Sequence, residues 1–138
     1  MLTRELHLET GGRRGLHDIT RDCASFVAEA ADGGEGLLNV FVPHATAGLL
    51  IMELGAGSDA DLLDTLERLL PHDERRWRHA HGSPGHGADH VLPLLAPPSL
   101  TVPVRGGQMA LGTWQSIALL DTNVDNRSRR VLLSFLPA

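Results

Sequence analysis

Histidine is the residue type of this sequence best suited to chemistry, because a neutral imidazole ligates divalent metals and its free pKa lies near neutrality. Five of the eight histidines fall between His72 and His90, and a sixth, His44, sits in Pro43-His44-Ala45-Thr46-Ala47-Gly48. His44 follows an apolar run and a proline. From such a strand end a rigid sheet can aim a ring into a cleft, with Thr46 beside it as a hydroxyl donor to a substrate oxygen. Three neutral imidazoles from separate segments, His44, His79 and His90, with one coordination position left open, would suit a zinc ion that binds water or substrate. His79 and His90 are separated by ten residues, unlike a helical H-x-x-x-H pair, so spacing by itself carries little of that reading. Without a metal the same trio could serve as general acid or base, or donate to a phosphate. His72, His81 and His86 lie beside proline and glycine and are expected in solvent. His7 and His17 occupy the polar phase of a strand or turn, with no constellation around them.

Other side chains could complete such a site. Glu53 ends the apolar run Leu49-Leu50-Ile51-Met52, where a carboxylate needs a partner or an opening to water; it could orient a ligand imidazole, accept a proton, or be an ordinary strand-end charge. Asp64 lies on a helix, where a solvated role competes. In Leu111-Gly112-Thr113-Trp114-Gln115, Trp114 could stack on a flat heterocycle and Gln115 could bond its edge, although core packing explains a tryptophan equally well. Arg129 and Arg130 follow a polar turn; a guanidinium suits phosphate, and strand alternation turns at most one of the pair toward a site.

The elements that must position these residues can be read from periodicity. Leu2, Leu6 and Leu8 alternate with polar residues, as in a half-buried strand closed by Gly11-Gly12. Thr20 reads as the N-cap of a helix burying Cys23, Phe26, Val27 and Ala30, ended by Gly33-Gly34. Leu37 to Val42 and Ala47 to Met52 read as strands. Ser58 to Asp61 has the capping-box form before a helix carrying Leu62, Leu63, Leu66, Leu69 and Leu70, which stops at Pro71. An irregular loop follows, then a short helix around Asp89 to Leu95. Strands are expected at Ser99 to Val104, Met109 to Leu111, Trp114 to Leu120 and Arg130 to Leu136, with a polar turn at Asn123 to Ser128. The sum is an α+β fold, one domain over residues 1–138, with a β-rich, sandwich-like core and its two main helices on one sheet face.

Composition excludes several functions. The formal net charge of −5 opposes general nucleic-acid binding. The twelve basic residues are all arginine, which rules out a lysine Schiff base and a P-loop lysine. Cys23, the single cysteine, sits among apolar residues and reads as a buried thiol. No apolar run is long enough to cross a bilayer and the Met1-Leu2-Thr3-Arg4-Glu5 start lacks a signal-peptide core, so the chain is expected to be cytoplasmic, without membrane contact.

Taken together, Pro43-His44-Ala45-Thr46-Ala47-Gly48, Glu53, Asp64, His79, His90, Leu111-Gly112-Thr113-Trp114-Gln115 and Arg129-Arg130, in this order, resemble the YjbQ family, also described as secondary thiamine-phosphate synthases. The chain departs from the family pattern in His86-Gly87-Ala88-Asp89-His90, where many relatives carry an asparagine just before an Ala-His pair, and at Ile51-Met52-Glu53, where Ile-Asn-Glu is usual. The resemblance implies a homotrimer with a β-rich core. It also implies an enzyme that joins hydroxymethylpyrimidine diphosphate to a thiazole phosphate with release of pyrophosphate, as a main or a side activity. On that reading His44, Glu53 and Thr46 would be catalytic. Trp114, Gln115, Arg129 and Arg130 would bind a small phosphorylated molecule, and His44, His79 and His90 would hold a divalent metal, zinc or magnesium. The alternatives are a metal-assisted hydrolase and a noncatalytic trimer that binds a metal or a phosphorylated ligand.

Overall fold

Alternation in Leu2–Glu9 and the apolar runs that follow build a chain of short strands interrupted by helices. The computed structural model describes residues 1–138. Its elements are β1 (Leu2–Glu9), β2 (Gly15–Asp18), α1 (Thr20–Ala31), β3 (Gly36–Phe41), β4 (Ala47–Met52), α2 (Ser58–Leu69), α3 (Gly87–Val91), a 3-10 turn (Leu92–Leu94), β5 (Ser99–Arg105), β6 (Gln108–Met109), β7 (Ser116–Asp121) and β8 (Ser128–Pro137). Five strands form one sheet in the order β1-β8-β3-β5-β6 and three form another in the order β2-β7-β4. Every strand pair is antiparallel.

Period two decides which face each residue covers. Leu38 and Val40 of β3, Val131 and Leu133 of β8, and Leu49, Ile117 and Leu119 of the smaller sheet form the main core, together with Cys23, Phe26 and Val27 of α1. Leu120, one residue out of phase with Leu119, belongs to a second cluster with Leu66 of α2 and Leu92, flanked by Leu16, Leu50, Leu62 and Leu63. Both faces of β7 are therefore covered, which is why Ile117 to Leu120 is an unbroken apolar run. The α+β class and the packed sheets are as expected. The placement of both long helices on one face is corrected in detail: α1 packs on the main core and α2 on the opposite face of the smaller sheet.

Local details differ where side chains found other partners. Thr20 is the first helical residue, not the cap. Its hydroxyl accepts the N–H of Ile117 at 2.8 Å, while Asp18 Oδ1 accepts the N–H of Thr20 at 2.9 Å. The capping box at Ser58 does not form, because the turn into α2 is made by Gly57 at φ 94° and the Ser58 hydroxyl donates back to the carbonyls of Gly55 and Glu53. β2 has too few residues to show an alternation, and Trp114 and Gln115 precede β7.

One close approach positions the histidine-bearing segment. A Cβ at Gly48 would lie 2.0 Å from the carbonyl oxygen of Ala96, so only glycine lets the stretch after α3 lie on β4. The N–H of Leu49 fastens that contact by donating to Pro97 O at 2.9 Å.

Candidate metal centre and its buried polar support

β7 runs out of the core into Asp121, Thr122 and Asn123, three consecutive polar residues that are all buried. Burying such groups is costly unless each is bonded, so their partners define a built structure. Arg129 is 2% exposed and grips Asp121 with Nε on Oδ2 at 2.7 Å and Nη2 on Oδ1 at 2.9 Å; Nη2 also reaches Thr46 Oγ1 at 3.0 Å. Asp89, 1% exposed, accepts from Thr122 Oγ1 at 2.7 Å, from Asn123 Nδ2 at 3.0 Å and from His72 Nε2 at 2.7 Å. His72 turns its other nitrogen to Glu67 Oε2 at 3.1 Å. The hydrogen bond to Asp89 raises the His72 pKa, against an opposing effect of burial. Burial would raise the pKa of Asp89, but the bonds from His72, Thr122 and Asn123 outweigh it and hold the carboxyl below its ordinary value. His72 thus lies between the carboxylates of Asp89 and Glu67, a setting that favours its charged form.

Asn123 passes the support on to a cluster of imidazoles. Its Nδ2 lies 2.9 Å from Nδ1 of His86, which is 7% exposed, and Asp125 Oδ2 lies 2.9 Å from the same nitrogen. Asn123 Nδ2 can only donate to Nδ1, which needs the ring proton on Nε2, whereas a carboxylate only accepts, so the competing bond to Asp125 puts the proton on Nδ1 and leaves Nε2 of His86 with its lone pair free. That lone pair faces His90 Nε2 at 2.8 Å. The ring of His79 lies 4.1 Å from that of His90 and 4.0 Å from that of His81, centroid to centroid. Nitrogen atoms of His79, His81 and His86 all lie within 4.8 Å of one another. Tetrahedral zinc with bonds of about 2.0–2.1 Å would set its ligand nitrogens about 3.3 Å apart, so the rings need only small adjustments to share an ion. Desolvation and the neighbouring rings lower the pKa of both His79 and His90, favouring the neutral form that ligates.

Glycines allow this crowding. A Cβ at Gly87 would lie 2.4 Å from Cβ of Trp77 and 2.8 Å from the carbonyl of His79, and one at Gly85, where φ is 76°, would lie 2.2 Å from the carbonyl of His72. Trp77 Nε1 donates to Pro71 O at 2.8 Å and closes the loop. His86 and His90 stand four residues apart at the start and in the last turn of α3, so their rings share one face.

Of the residues read from sequence, His79 and His90 come together. His86 and His72, expected in solvent, are instead packed into the network. His81 is exposed, as expected, yet it joins the cluster. His44 contributes no ring to it within this chain: its Nε2 accepts the N–H of Arg130 at 2.9 Å, and burial followed by Arg129 and Arg130 lowers its pKa. Thr46 is 5% exposed and holds Arg129, so both stand in the interior. Arg130 is half exposed and lies 3.6 Å from Glu5. Glu53 is exposed at the end of β4. Trp114 is 73% exposed, and Gln115 Oε1 accepts the N–H of Gly112 at 2.8 Å, closing its own loop.

The sequence reading missed Asp89, Thr122, Asn123 and Asp125. One signal was present: three polar residues continue an unbroken apolar strand, at a point where a chain leaving the core would be expected to turn outward. A second was the H-x-x-x-H spacing of His86 and His90.

Fold and site together define a small α+β domain with a histidine cluster braced by a buried polar band. The family model for UPF0047 YjbQ-like proteins matches residues 4–138, and the chain belongs to that family. A UPF0047 protein of Mycobacterium tuberculosis is 59% identical over 136 residues, covering 99% of this chain and 98% of its own length. One from Archaeoglobus fulgidus is 35% identical over 133 residues, covering 96% and 99%. Among solved structures, a hypothetical protein from Aeropyrum pernix superposes with a TM-score of 0.87 at 29% identity over the full length of both chains. A protein of unknown function from Sulfolobus solfataricus reaches 0.90 at 23% identity, covering 99% and 97%, a likeness of fold. No helix is long and apolar enough to cross a membrane.

Proposed function

We propose that the protein is a small cytoplasmic, homotrimeric enzyme whose cluster of His79, His81, His86 and His90 holds a divalent metal ion and acts on the diphosphate of a small phosphorylated molecule. The observation that carries this reading is the convergence of imidazole nitrogens, three within 4.8 Å and a fourth ring 2.8 Å from one of them. An all-nitrogen donor set suits zinc and not magnesium, which takes oxygen ligands. When bound, such an ion supplies Lewis-acid stabilisation of the charge on a departing phosphate oxygen. The chain's own residues do the rest. Asp125 and Asn123 fix the orientation of His86, Asp89 anchors Asn123, and Arg130, whose backbone N–H holds His44 and whose half-exposed guanidinium lies near Glu5, is the candidate to meet a substrate phosphate.

Among diphosphate reactions, the family resemblance favours the joining of hydroxymethylpyrimidine diphosphate to a thiazole phosphate, with pyrophosphate leaving. The test is pyrophosphate release from that pair by chelator-treated protein before and after zinc is restored. Turnover that needs zinc and is lost in His86→Ala supports the reading. Pyrophosphate release without the thiazole phosphate would indicate a hydrolase. Zinc retention without turnover on either substrate would reject the enzyme and leave a noncatalytic metal-binding trimer.

A further inference from the structure

Between the end of β1 and the start of β2 lies a groove of about 460 Å³ lined by no hydrophobic residue, walled by Thr10, Arg13, Arg14 and His17 together with Glu9 and two glycines. Three observations set it apart. Thr10 is 4% exposed and its Oγ1 has no partner, and neither has Nε2 of His17. No other buried side-chain polar atom in the chain is left in this way, and each is costly unless something completes it. The guanidinium of Arg13 is held by no carboxylate or carbonyl, and Arg14 uses only Nε, donating to Thr122 O at 3.3 Å. The loop between them is nonetheless fixed. Gly11 and Gly12 stand at φ 71° and 65°, and the N–H groups of Thr10 and Gly11 both donate to Arg127 O, at 2.8 and 3.0 Å.

We propose that this groove binds the phosphate group of a small molecule. Two guanidiniums, a hydroxyl and an imidazole nitrogen offer more hydrogen bonds than the two oxygens of a carboxylate can take, whereas a phosphate has three oxygens to share among them. Glu9 on the rim leaves the two arginines an excess of one positive charge, and the chain as a whole carries −5. That balance suits one phosphate group and opposes a long polyanion. Arg14 ties the groove to the strand end that serves the histidines, since Thr122 holds Arg14 through its carbonyl and Asp89 through its hydroxyl. The site does not depend on a metal in the cluster.

The experiment is calorimetric titration of inorganic phosphate into chelator-treated protein. Wild type should bind. Arg13→Ala should weaken binding about tenfold or more, the loss expected for charge-assisted hydrogen bonds. Thr10→Val should weaken it too while leaving the melting temperature equal or higher, because it removes an unbonded hydroxyl. Arg105→Ala, which removes an exposed arginine of β5 outside the groove, should bind phosphate as wild type does. Absence of binding to wild type, binding indifferent to Arg13→Ala, or binding lost equally in Arg105→Ala would each overturn the assignment.

Discussion

Replacing Arg129 by Met asks whether this arginine is a structural brace or a substrate contact. The guanidinium is 2% exposed and its partner carboxylate 0%. Three hydrogen bonds of 2.7, 2.9 and 3.0 Å join it to Asp121 and Thr46. Removing one member of a buried ion pair leaves the other as an unpaired charge in the interior, at a cost of about 3–5 kcal/mol. Most of that cost belongs to the stranded carboxylate, so the double variant Arg129→Met/Asp121→Leu should recover a large part of it. Urea unfolding followed by far-UV circular dichroism measures both. With a slope of about 1–3 kcal/mol per molar urea for a small protein, Arg129→Met should move the midpoint down by roughly 1–5 M. A loss below about 1 kcal/mol, or a double variant no better than the single one, would refute the buried-brace reasoning and return Arg129 to the role of a phosphate ligand.

Three further outcomes follow from the same geometry. Because bonding to Asp89 raises the pKa of His72 above its unfolded value of about 6.5, this stabilisation is complete below that pH and is lost as pH rises through the folded value. In stability curves, the gap between wild type and His72→Gln, about 1–3 kcal/mol, should be largest near pH 6 and shrink toward pH 9; a gap that grows with pH would contradict the bridge. Burial, with Asp22 and Asp18 nearby, pushes the Cys23 thiol up to about 12, so a thiol reagent at pH 8 should label it only after unfolding, as read by mass spectrometry. Gly48→Ala should cost several kcal/mol by thermal melting, since its Cβ would overlap Ala96; a melting temperature within a degree or two of wild type would deny the contact.

Much of the scaffold was legible because periodicity reports burial. β4 was read with its observed bounds, Ala47–Met52, and α1 and α2 announced their buried faces through Phe26, Val27 and Leu66. Caps were less legible because a hydroxyl has several acceptors within reach: Ser58 and Thr20 bond to loops and to a distant strand that no local window contains. The site was half legible. His79 and His90 stand out in the sequence, whereas the Gly and Pro neighbours of His86 point to solvent. Those glycines are what allow Trp77, His72 and His79 to close over it. Asp89 and Asn123 escaped notice because their value lies in partners 17 to 37 residues away.

On the reading proposed above, four rings near α3, and not His44, hold the ion within one chain. Elemental analysis of protein equilibrated with zinc and then desalted tests it directly, on wild type, His44→Ala and the double variant His86→Ala/His90→Ala. About one zinc per chain is expected in wild type and in His44→Ala, and little in the double variant. Zinc lost from His44→Ala but kept by His86→Ala/His90→Ala would contradict it, as would wild type that retains none.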